Sequence, residues 1–180
     1  VVEVGTDQQM LSVGAKAVYA YDPRNGRELW KVPTPGFSGA ACPVYGRGIA
    51  YMITGFGRTE LLAIRADRRG ELTDADIVWR TSSIVPQIPS PVLVDDLLFV
   101  LDDTATVTCL EAATGAQLWR QRLRGNFAAS LLYADGNIYC FSREGRTTVL
   151  KAAREYELLA TNVLESGFMA SPAVSGRAFF

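Results

Sequence analysis

Paired carboxylates are the residues of this sequence that come closest to a chemical site. They are Asp74 and Asp76, Asp95 and Asp96, and Asp102 and Asp103. Carboxylate oxygens are favoured calcium ligands, and paired carboxylates also perform acid–base catalysis. However, no pair has the spacing of a calcium loop, and all fall at expected turns, where aspartate is favoured because it hydrogen-bonds the local backbone. We therefore predict no catalytic residue, no cofactor-binding residue and no metal ligand.

Histidine is absent from the sequence, which removes the commonest general base and every Ser-His or Cys-His arrangement. The three cysteines, Cys42, Cys109 and Cys140, are far apart and form no Cys-x-x-Cys pair. A disulfide or a thiolate ligand is the functional alternative. Because each cysteine lies in an apolar stretch, we predict three small buried hydrophobic side chains within strands.

Two short segments carry weaker signals. Residues 55–58 read Gly-Phe-Gly-Arg, like a fragment of a phosphate-binding loop, but no helix follows, so we predict a hairpin connection. Arg65, Arg68 and Arg69 form a basic cluster beside an insertion at residues 71–76. A solvated turn and a contact with a partner are both open for this cluster, since added contacts concentrate where a repeat departs from its neighbours.

Charge and hydropathy exclude several classes of function. The chain has 18 basic and 19 acidic side chains and a formal net charge of −1, which gives no reason to expect binding to nucleic acid or to an anionic membrane. No apolar stretch is long enough to span a bilayer. The chain begins without methionine and ends in an apolar Ala-Phe-Phe run, so we interpret both ends as cuts in a longer protein.

An internal repeat marked by tryptophan is the strongest signal in the sequence. Residues 21–30 and 110–119 align without a gap, with Gly26 on Gly115 and Leu-Trp on Leu-Trp. A third copy runs from Ile64 through Gly70 and, after the insertion, reaches Trp79. A fourth, at residues 150–159, has Leu159 where tryptophan is expected.

A second motif recurs upstream of each tryptophan copy. Segments rich in small residues and proline begin near Cys42, Ser90, Ser130 and Ser171, and each leads through a turn to an apolar run. The spacing from Ser90 to Ser130 and the spacing from Trp119 to Leu159 are both 40 positions. Two unlike landmarks thus share one period.

Each repeat divides into four short strands, and four strands in about 40 residues is typical of a propeller blade. We predict an all-β fold, a β-propeller of four-stranded antiparallel blades with about four blades present, as part of a seven- or eight-bladed ring. The predicted single domain spans 1–180, with blade units at 1–33 (lacking its first strand), 38–82, 88–124, 127–164 and 169–180 (the start of another blade).

Physical roles follow for the repeated residues. Gly26, Gly70 and Gly115 would supply the positive φ of the turn before the fourth strand. Trp30, Trp79 and Trp119 would dock neighbouring blades, because one blade cannot cover both of its apolar faces; a ligand platform is the alternative. Residues 149–160 favour helix by composition, but their register with the other copies predicts strand, turn and strand.

The motif Ala-x-Asp-x-x-Thr-Gly-x-x-x-Trp resembles the tryptophan-docking motif of pyrroloquinoline-quinone (PQQ) dehydrogenases and their bacterial relatives, which include BamB-type outer-membrane assembly proteins. It is matched by residues 20–30 and 109–119 and more loosely by 63–79. The resemblance implies the propeller fold and a periplasmic or otherwise extracytoplasmic location. A dehydrogenase of this type would also need PQQ, calcium held by carboxylate and amide oxygens, a catalytic aspartate, an arginine near the quinone and, in many members, a disulfide of adjacent cysteines; no Cys-Cys pair occurs here.

We therefore predict a non-catalytic PQQ-like propeller module that binds protein or scaffolds an assembly, with no cofactor and an unidentified protein partner. Self-association through cut blade edges is a further expectation. A fragment of a PQQ-dependent dehydrogenase and a carbohydrate-binding propeller are the alternatives, because fold alone does not determine function.

Overall fold

The computed structural model describes residues 1–176 and 178–180, and it is built of β-strands with one short 3₁₀ turn. The all-β prediction is confirmed. The chain divides into two compact units, one formed by Val1–Gln87 with Ala113–Gly115 and the other by Ile88–Ala112 with Ala116–Phe180. No helix among the described residues is long and apolar enough to cross a membrane.

The first sheet of unit 1 is a complete four-stranded meander. Its strands are β1 (Val2–Val4), β2 (Asp7–Val13), β3 (Ala17–Tyr21) and β4 (Glu28–Pro33). The expectation that this blade lacks its first strand is therefore wrong. Gly5, at φ 63°, allows a tight turn that pairs Val2–Val4 antiparallel with the start of β2. β2 begins with three polar residues, Asp7, Gln8 and Gln9, and so lacks the apolar run that marks the inner strands of the other meanders.

The second sheet of unit 1 contains the insertion. Strands β5 (Val44–Gly46), β6 (Ile49–Ile53), β7 (Leu61–Arg65) and β9 (Ile77–Thr81) form the meander. Between β7 and β9, β8 (Gly70–Glu71) pairs in parallel with the outer strand β4 of the first sheet, and a 3₁₀ turn follows at Asp74–Asp76. Residues 55–58 connect β6 to β7, so the hairpin prediction for this segment is confirmed.

Unit 2 contains two more meanders and a hairpin. The meanders are β10 (Val92–Val94), β11 (Leu97–Leu101), β12 (Thr106–Glu111) and β13 (Gln117–Arg122), then β14 (Leu132–Ala134), β15 (Asn137–Phe141), β16 (Arg146–Lys151) and β17 (Leu158–Val163). The hairpin is formed by β18 (Val174–Ser175) and β19 (Ala178–Phe179). Residues 149–160 thus form strand, turn and strand, which confirms the repeat register over helix propensity.

A β-bulge recurs between the third and fourth strands of all four meanders. After it, each tryptophan lies opposite a small residue: Trp30 faces Ala20, Trp79 faces Ala63 and Trp119 faces Cys109. In the fourth meander the residue opposite Val149 is Ala160. Placing Leu159 at the tryptophan position was therefore wrong by one residue, because this turn is one residue longer and closes through Lys151 N–H to Glu157 O.

The inner strands carry the core of each unit. Strand β11 is buried along its whole length, as are all but the last residues of β7 and β12, whereas the outer strands β13 and β17 are mostly exposed. Burial on both faces explains the apolar runs of β7 and β11. Cys109 and Cys140 are buried within β12 and β15, as predicted, but Cys42 is exposed and lies outside any strand, so the prediction for Cys42 is wrong.

Candidate functional site

Trp30 is joined to the second sheet of unit 1 through a buried glutamine. Its side chain is 0% exposed, and its indole Nε1–H donates to Gln9 Oε1 at 2.9 Å. Gln9, also 0% exposed, donates from Nε2 to the carbonyl oxygen of Ala66 at 2.9 Å. A buried amide needs both partners, because an unsatisfied polar group costs about 1–3 kcal/mol. Gln9 thus connects the indole of the first sheet to the backbone of the second.

Trp79 packs against the turn that contains Gly115, within unit 1. A Cβ atom added to Gly115 would lie 2.7 Å from Cδ2 of the Trp79 ring and 2.9 Å from Cε3. Gly115 also has φ 73°, a conformation that L-residues rarely adopt. Tyr51 contacts the indole from within its own sheet, with ring centroids 5.9 Å apart. Both the space at Gly115 and its backbone conformation therefore require glycine.

Trp119 contacts the turn of the fourth meander in unit 2. Its Nε1–H donates to the Ala153 carbonyl oxygen at 3.0 Å, and its ring meets Tyr156 edge-on with centroids 5.4 Å apart. Phe99 packs on it from its own sheet. The side chain is 9% exposed. The outer-strand indole and the turn of the next meander thus meet here as well.

The turn glycines have the predicted backbone conformation. Gly26, Gly70 and Gly115 have φ of 74°, 81° and 73°. Only at Gly115, among these three, would a Cβ meet another residue within 4 Å. Gly70 belongs to the short strand β8 beside Trp30 rather than to a tight turn.

The predicted arginine cluster separates into different interactions. Arg69 forms an ion pair with Asp7, Nη2 to Oδ2, at 2.8 Å. Arg68 lies 3.4 Å from a carboxylate oxygen of Asp76 in the insertion. Arg65 is exposed and has no ion-pair partner in the described part of the chain. A contact of these three residues with a partner stays a prediction.

Arg154 makes an ion-pair fork that the sequence did not indicate. Its two terminal nitrogens lie 2.6 Å from Asp96 and 2.7 Å from Glu111, which belong to the neighbouring meander of unit 2. The Arg154–Asp96 and Arg69–Asp7 pairs are alike, since each joins a late turn of one meander to the first turn of the preceding one. All the side chains involved are between 32% and 52% exposed, so each pair contributes little stability.

Asp74, Asp76 and Asp102 make local contacts. Oδ1 of Asp102 accepts hydrogen bonds from the backbone N–H groups of Thr104 and Thr106, while its Oδ2 pairs with Arg120. Asp74 pairs with Arg80, and Asp76 caps the 3₁₀ turn by accepting from the Thr73 N–H. Over residues 1–176 and 178–180, no group of three His, Cys, Asp or Glu side chains could hold a metal ion.

Unit 2 also contains an arginine-lined pocket that the sequence analysis did not predict. It has a volume of about 350 Å³, and its polar lining consists of Gln121, Arg122, Arg124, Arg146, Thr148, Tyr156 and Thr161. Arginines 120, 122 and 124 alternate along β13 and its extension, a pattern visible in the sequence. Their proximity to Arg146 follows only from the packing of two meanders.

Recurring bulged meanders with outer-strand tryptophans define a propeller-repeat protein of the PQQ-like type. Residues 14–155 match the sequence model of the family described as outer membrane protein assembly factor BamB, and the chain belongs to this family. The family resemblance drawn from the tryptophan motif is confirmed. No curated protein sequence matches the chain.

Solved structures agree on the fold. BamB from Moraxella catarrhalis is 15% identical, with a TM-score of 0.73 over 94% of this chain and 53% of its own. The computationally designed Ika8 protein is 14% identical, with a TM-score of 0.75 over 97% of this chain and 52% of its own. A europium-containing methanol dehydrogenase is 12% identical, with a TM-score of 0.56 over 70% of this chain and 25% of its own. The chain thus spans about half the length of the first two.

Proposed function

We propose that this chain is a non-catalytic PQQ-like propeller module that binds a protein partner and acts as a scaffold in an extracytoplasmic assembly. The family match over residues 14–155 carries the proposal, because the family is named for an assembly factor of the outer membrane. The likeness to a methanol dehydrogenase supports the shared fold only, at 12% identity.

Docking of neighbouring blades is the proposed role of Trp30, Trp79 and Trp119. The hydrogen bond from Trp119 to Ala153 and the close approach of Trp79 to Gly115 support this role. Each indole fills the space beside a turn of the following meander, where a smaller side chain would leave a void. We propose that the blades form one domain that is part of a seven- or eight-bladed ring.

Apolar side chains are exposed towards the C-terminal end of unit 2. They are Leu159, Val163, Leu164, Met169, Val174, Phe179 and Phe180. Apolar surface of this kind marks an interaction site. We propose that it is covered by self-association or by further blades, and sedimentation velocity over a range of concentrations separates a reversible oligomer from a monomer.

Photo-crosslinking tests the scaffold proposal. p-Benzoylphenylalanine is placed singly at exposed turn positions, Arg68 and Arg154 among them, and the chain is expressed in the extracytoplasmic compartment of its natural host. We expect one protein to be crosslinked from several positions and, when purified, to form a stoichiometric complex with the chain. Crosslinks to unrelated proteins, and no complex with any of them in purified form, would contradict the proposal.

Two titrations examine the other functions. Under the scaffold proposal, adding PQQ with calcium leaves the absorbance spectrum of the quinone unchanged, and a glycan array gives no saturable binding. A red-shifted, calcium-dependent absorbance would favour the dehydrogenase fragment. Saturable binding to one glycan class would favour the carbohydrate-binding propeller.

A further inference from the structure

Three arginines of unit 2 lie around one pocket without carboxylate partners. The same pocket of about 350 Å³ is lined by Arg122, Arg124 and Arg146. None of these three arginines forms an ion pair with any described residue. Seven other arginines of the described chain do form ion pairs: Arg24, Arg58, Arg68, Arg69, Arg80, Arg120 and Arg154. The pocket is thus bordered by three arginines that have no carboxylate partner among the described residues.

The floor of the pocket is one face of the fourth meander. Arg146 and Thr148 alternate along β16 and so point to the same face. Thr161 lies directly opposite Thr148 on β17. Thr148 is only 5% exposed and lines the pocket. These hydroxyls can hydrogen-bond a carboxylate held by the arginines.

The wall of the pocket comes from the end of β13 and the residues after it. Gln121 lies on the same face of β13 as Trp119, whereas Arg122 alternates with it; Arg122, Leu123 and Arg124 border the pocket at the end of the strand. Tyr156 and Leu158 add further apolar surface from the fourth meander. A lining that mixes guanidinium, hydroxyl and apolar groups suits a peptide with acidic and apolar side chains better than a small inorganic anion.

In the first meander of the same chain, a two-residue strand that carries one glutamate pairs with the outer strand. There β8 pairs with β4, and Glu71 of β8 lies 3.3 Å from Lys31 of β4. The corresponding outer strand β13 has Arg120 after its tryptophan and, within the described chain, no strand on its outer edge. An extended peptide can therefore use both the backbone of β13 and the nearby arginines.

We propose that the pocket lined by Arg122, Arg124 and Arg146 binds an acidic, extended segment of a protein partner. The inference deepens the proposed scaffold function and rests on it. Carboxylates of the segment pair with the three guanidinium groups, Thr148 and Thr161 hydrogen-bond one of them, and apolar side chains of the segment pack on Tyr156 and Leu158. The same pocket rejects basic segments, because three like charges surround it.

Fluorescence polarisation with a defined peptide tests the inference. The probe is a fluorescein-labelled octapeptide that alternates glutamate and valine, and its counterpart has glutamine in place of glutamate. We expect saturable binding of the glutamate peptide, weaker binding of the glutamine peptide and a loss of affinity as sodium chloride is raised. Equal binding of the two peptides, or no binding of either, would overturn the inference.

Matched variants locate the site. Arg122→Ser/Arg124→Ser should weaken the glutamate peptide about fourfold to twentyfold, and Arg146→Ser about twofold to fivefold, as expected for partly exposed charge pairs. The control Arg27→Ser/Arg47→Ser removes the same net charge from exposed arginines of unit 1 that have no described ion pair, and it should change affinity by less than about twofold. Thermal unfolding of each variant checks that the fold is kept. A loss as large in the control as in the Arg122/Arg124 variant would refute the location.

Two further arms separate the remaining explanations. Inorganic phosphate should displace the peptide only at concentrations far above those of the peptide itself, and displacement at equal concentrations would instead indicate a site for small anions. The Arg122→Ser/Arg124→Ser variant is also tested against any partner found by crosslinking. If that partner still binds the variant at full affinity, this inference fails while the scaffold function stands; if no partner exists, the scaffold function itself fails.

Discussion

Substituting alanine for Gly115 tests the contact between Trp79 and the turn of the next meander. A positive φ at a non-glycine residue costs roughly 1–2 kcal/mol. The new Cβ would also lie 2.7 Å from a rigid ring atom of Trp79, well inside contact distance. Overpacking of this kind costs about 1–3 kcal/mol. The expected loss in the free energy of unfolding is therefore about 2–5 kcal/mol.

Gly26 provides the matched control for that substitution. It occupies the equivalent turn at φ 74°, against 73° for Gly115, but a Cβ there would meet nothing within 4 Å. Gly26→Ala should thus cost only the backbone contribution of about 1–2 kcal/mol. The difference between the two variants, about 1–3 kcal/mol, measures the clash with the indole.

Urea denaturation followed by far-ultraviolet circular dichroism gives these free energies, provided that the unfolding slope is unchanged. A third variant completes the test, because Trp79→Leu removes the ring that the new Cβ would meet. In that background Gly115→Ala should cost no more than Gly26→Ala. Equal costs for Gly115→Ala and Gly26→Ala in the parent protein would refute the packing argument.

Three further predictions concern hydrogen bonding, pH and thiol reactivity. Trp119→Phe should lower the free energy of unfolding by about 1–2 kcal/mol, because the hydrogen bond to Ala153 is lost. Trp30→Phe should lower it by more, because the buried amide oxygen of Gln9 is left without a donor. Urea titration ranks the two variants, and the reverse order would contradict the bonding pattern. Hydrogen bonds from Arg24 hold the pKa of Asp22 at about 2, below its usual 3.8. This carboxylate therefore stabilises the fold above pH 4, and its contribution disappears as the pH falls towards 2. Asp22→Asn should flatten the decline of the melting temperature over that pH range, and an unchanged slope would exclude the effect. Burial raises the pKa of the Cys109 thiol to about 12 and also raises the pKa of Cys140. A thiol reagent at pH 8 should therefore label only the exposed Cys42 until urea is added. Rapid labelling of all three cysteines in the native state would show that the core strands are misplaced.

Much of the fold could be predicted because each repeat needs the same residue types at its turn and in its outer strand. The turn glycines must reach positive φ, and the outer-strand tryptophans must bury a large ring, so both recur in the sequence. Their common register also overruled the helix propensity of residues 149–160. Local composition would have failed there, because packing between sheets decides that segment.

Strand β2 could not be recognised from its apolar pattern because polar residues occupy its start. Gln9 is polar yet fully buried, and its amide group hydrogen-bonds both the Trp30 indole and the Ala66 carbonyl oxygen. A buried hydrogen-bonding side chain breaks the alternation that marks a strand. The one-residue shift at Leu159 has a similar origin, because turn length is set by local backbone geometry that the 40-residue period conceals.

The arginine pocket could not be predicted from the sequence for another reason. Its wall and its floor come from separate meanders, with Arg124 and Arg146 on different strands. The basic cluster that the sequence did suggest includes Arg69, which pairs with Asp7 over a long sequence separation. Ion-pair partners depend on tertiary packing, so the sequence shows where arginines are numerous but not which of them remain available.

Solvent exchange of the indole N–H groups tests the docking of neighbouring meanders most directly. The chain has three tryptophans, so ¹⁵N–¹H correlation spectra contain three indole signals, which single Trp→Phe variants assign. We expect the signals of Trp30 and Trp119 to persist in D₂O for as long as the backbone amides of the inner strands, since both groups are buried and donate to the protein. Exchange of these two indoles within the dead time, while the strand amides stay protected, would show that the meanders fold without the tryptophan contacts that we assign to them.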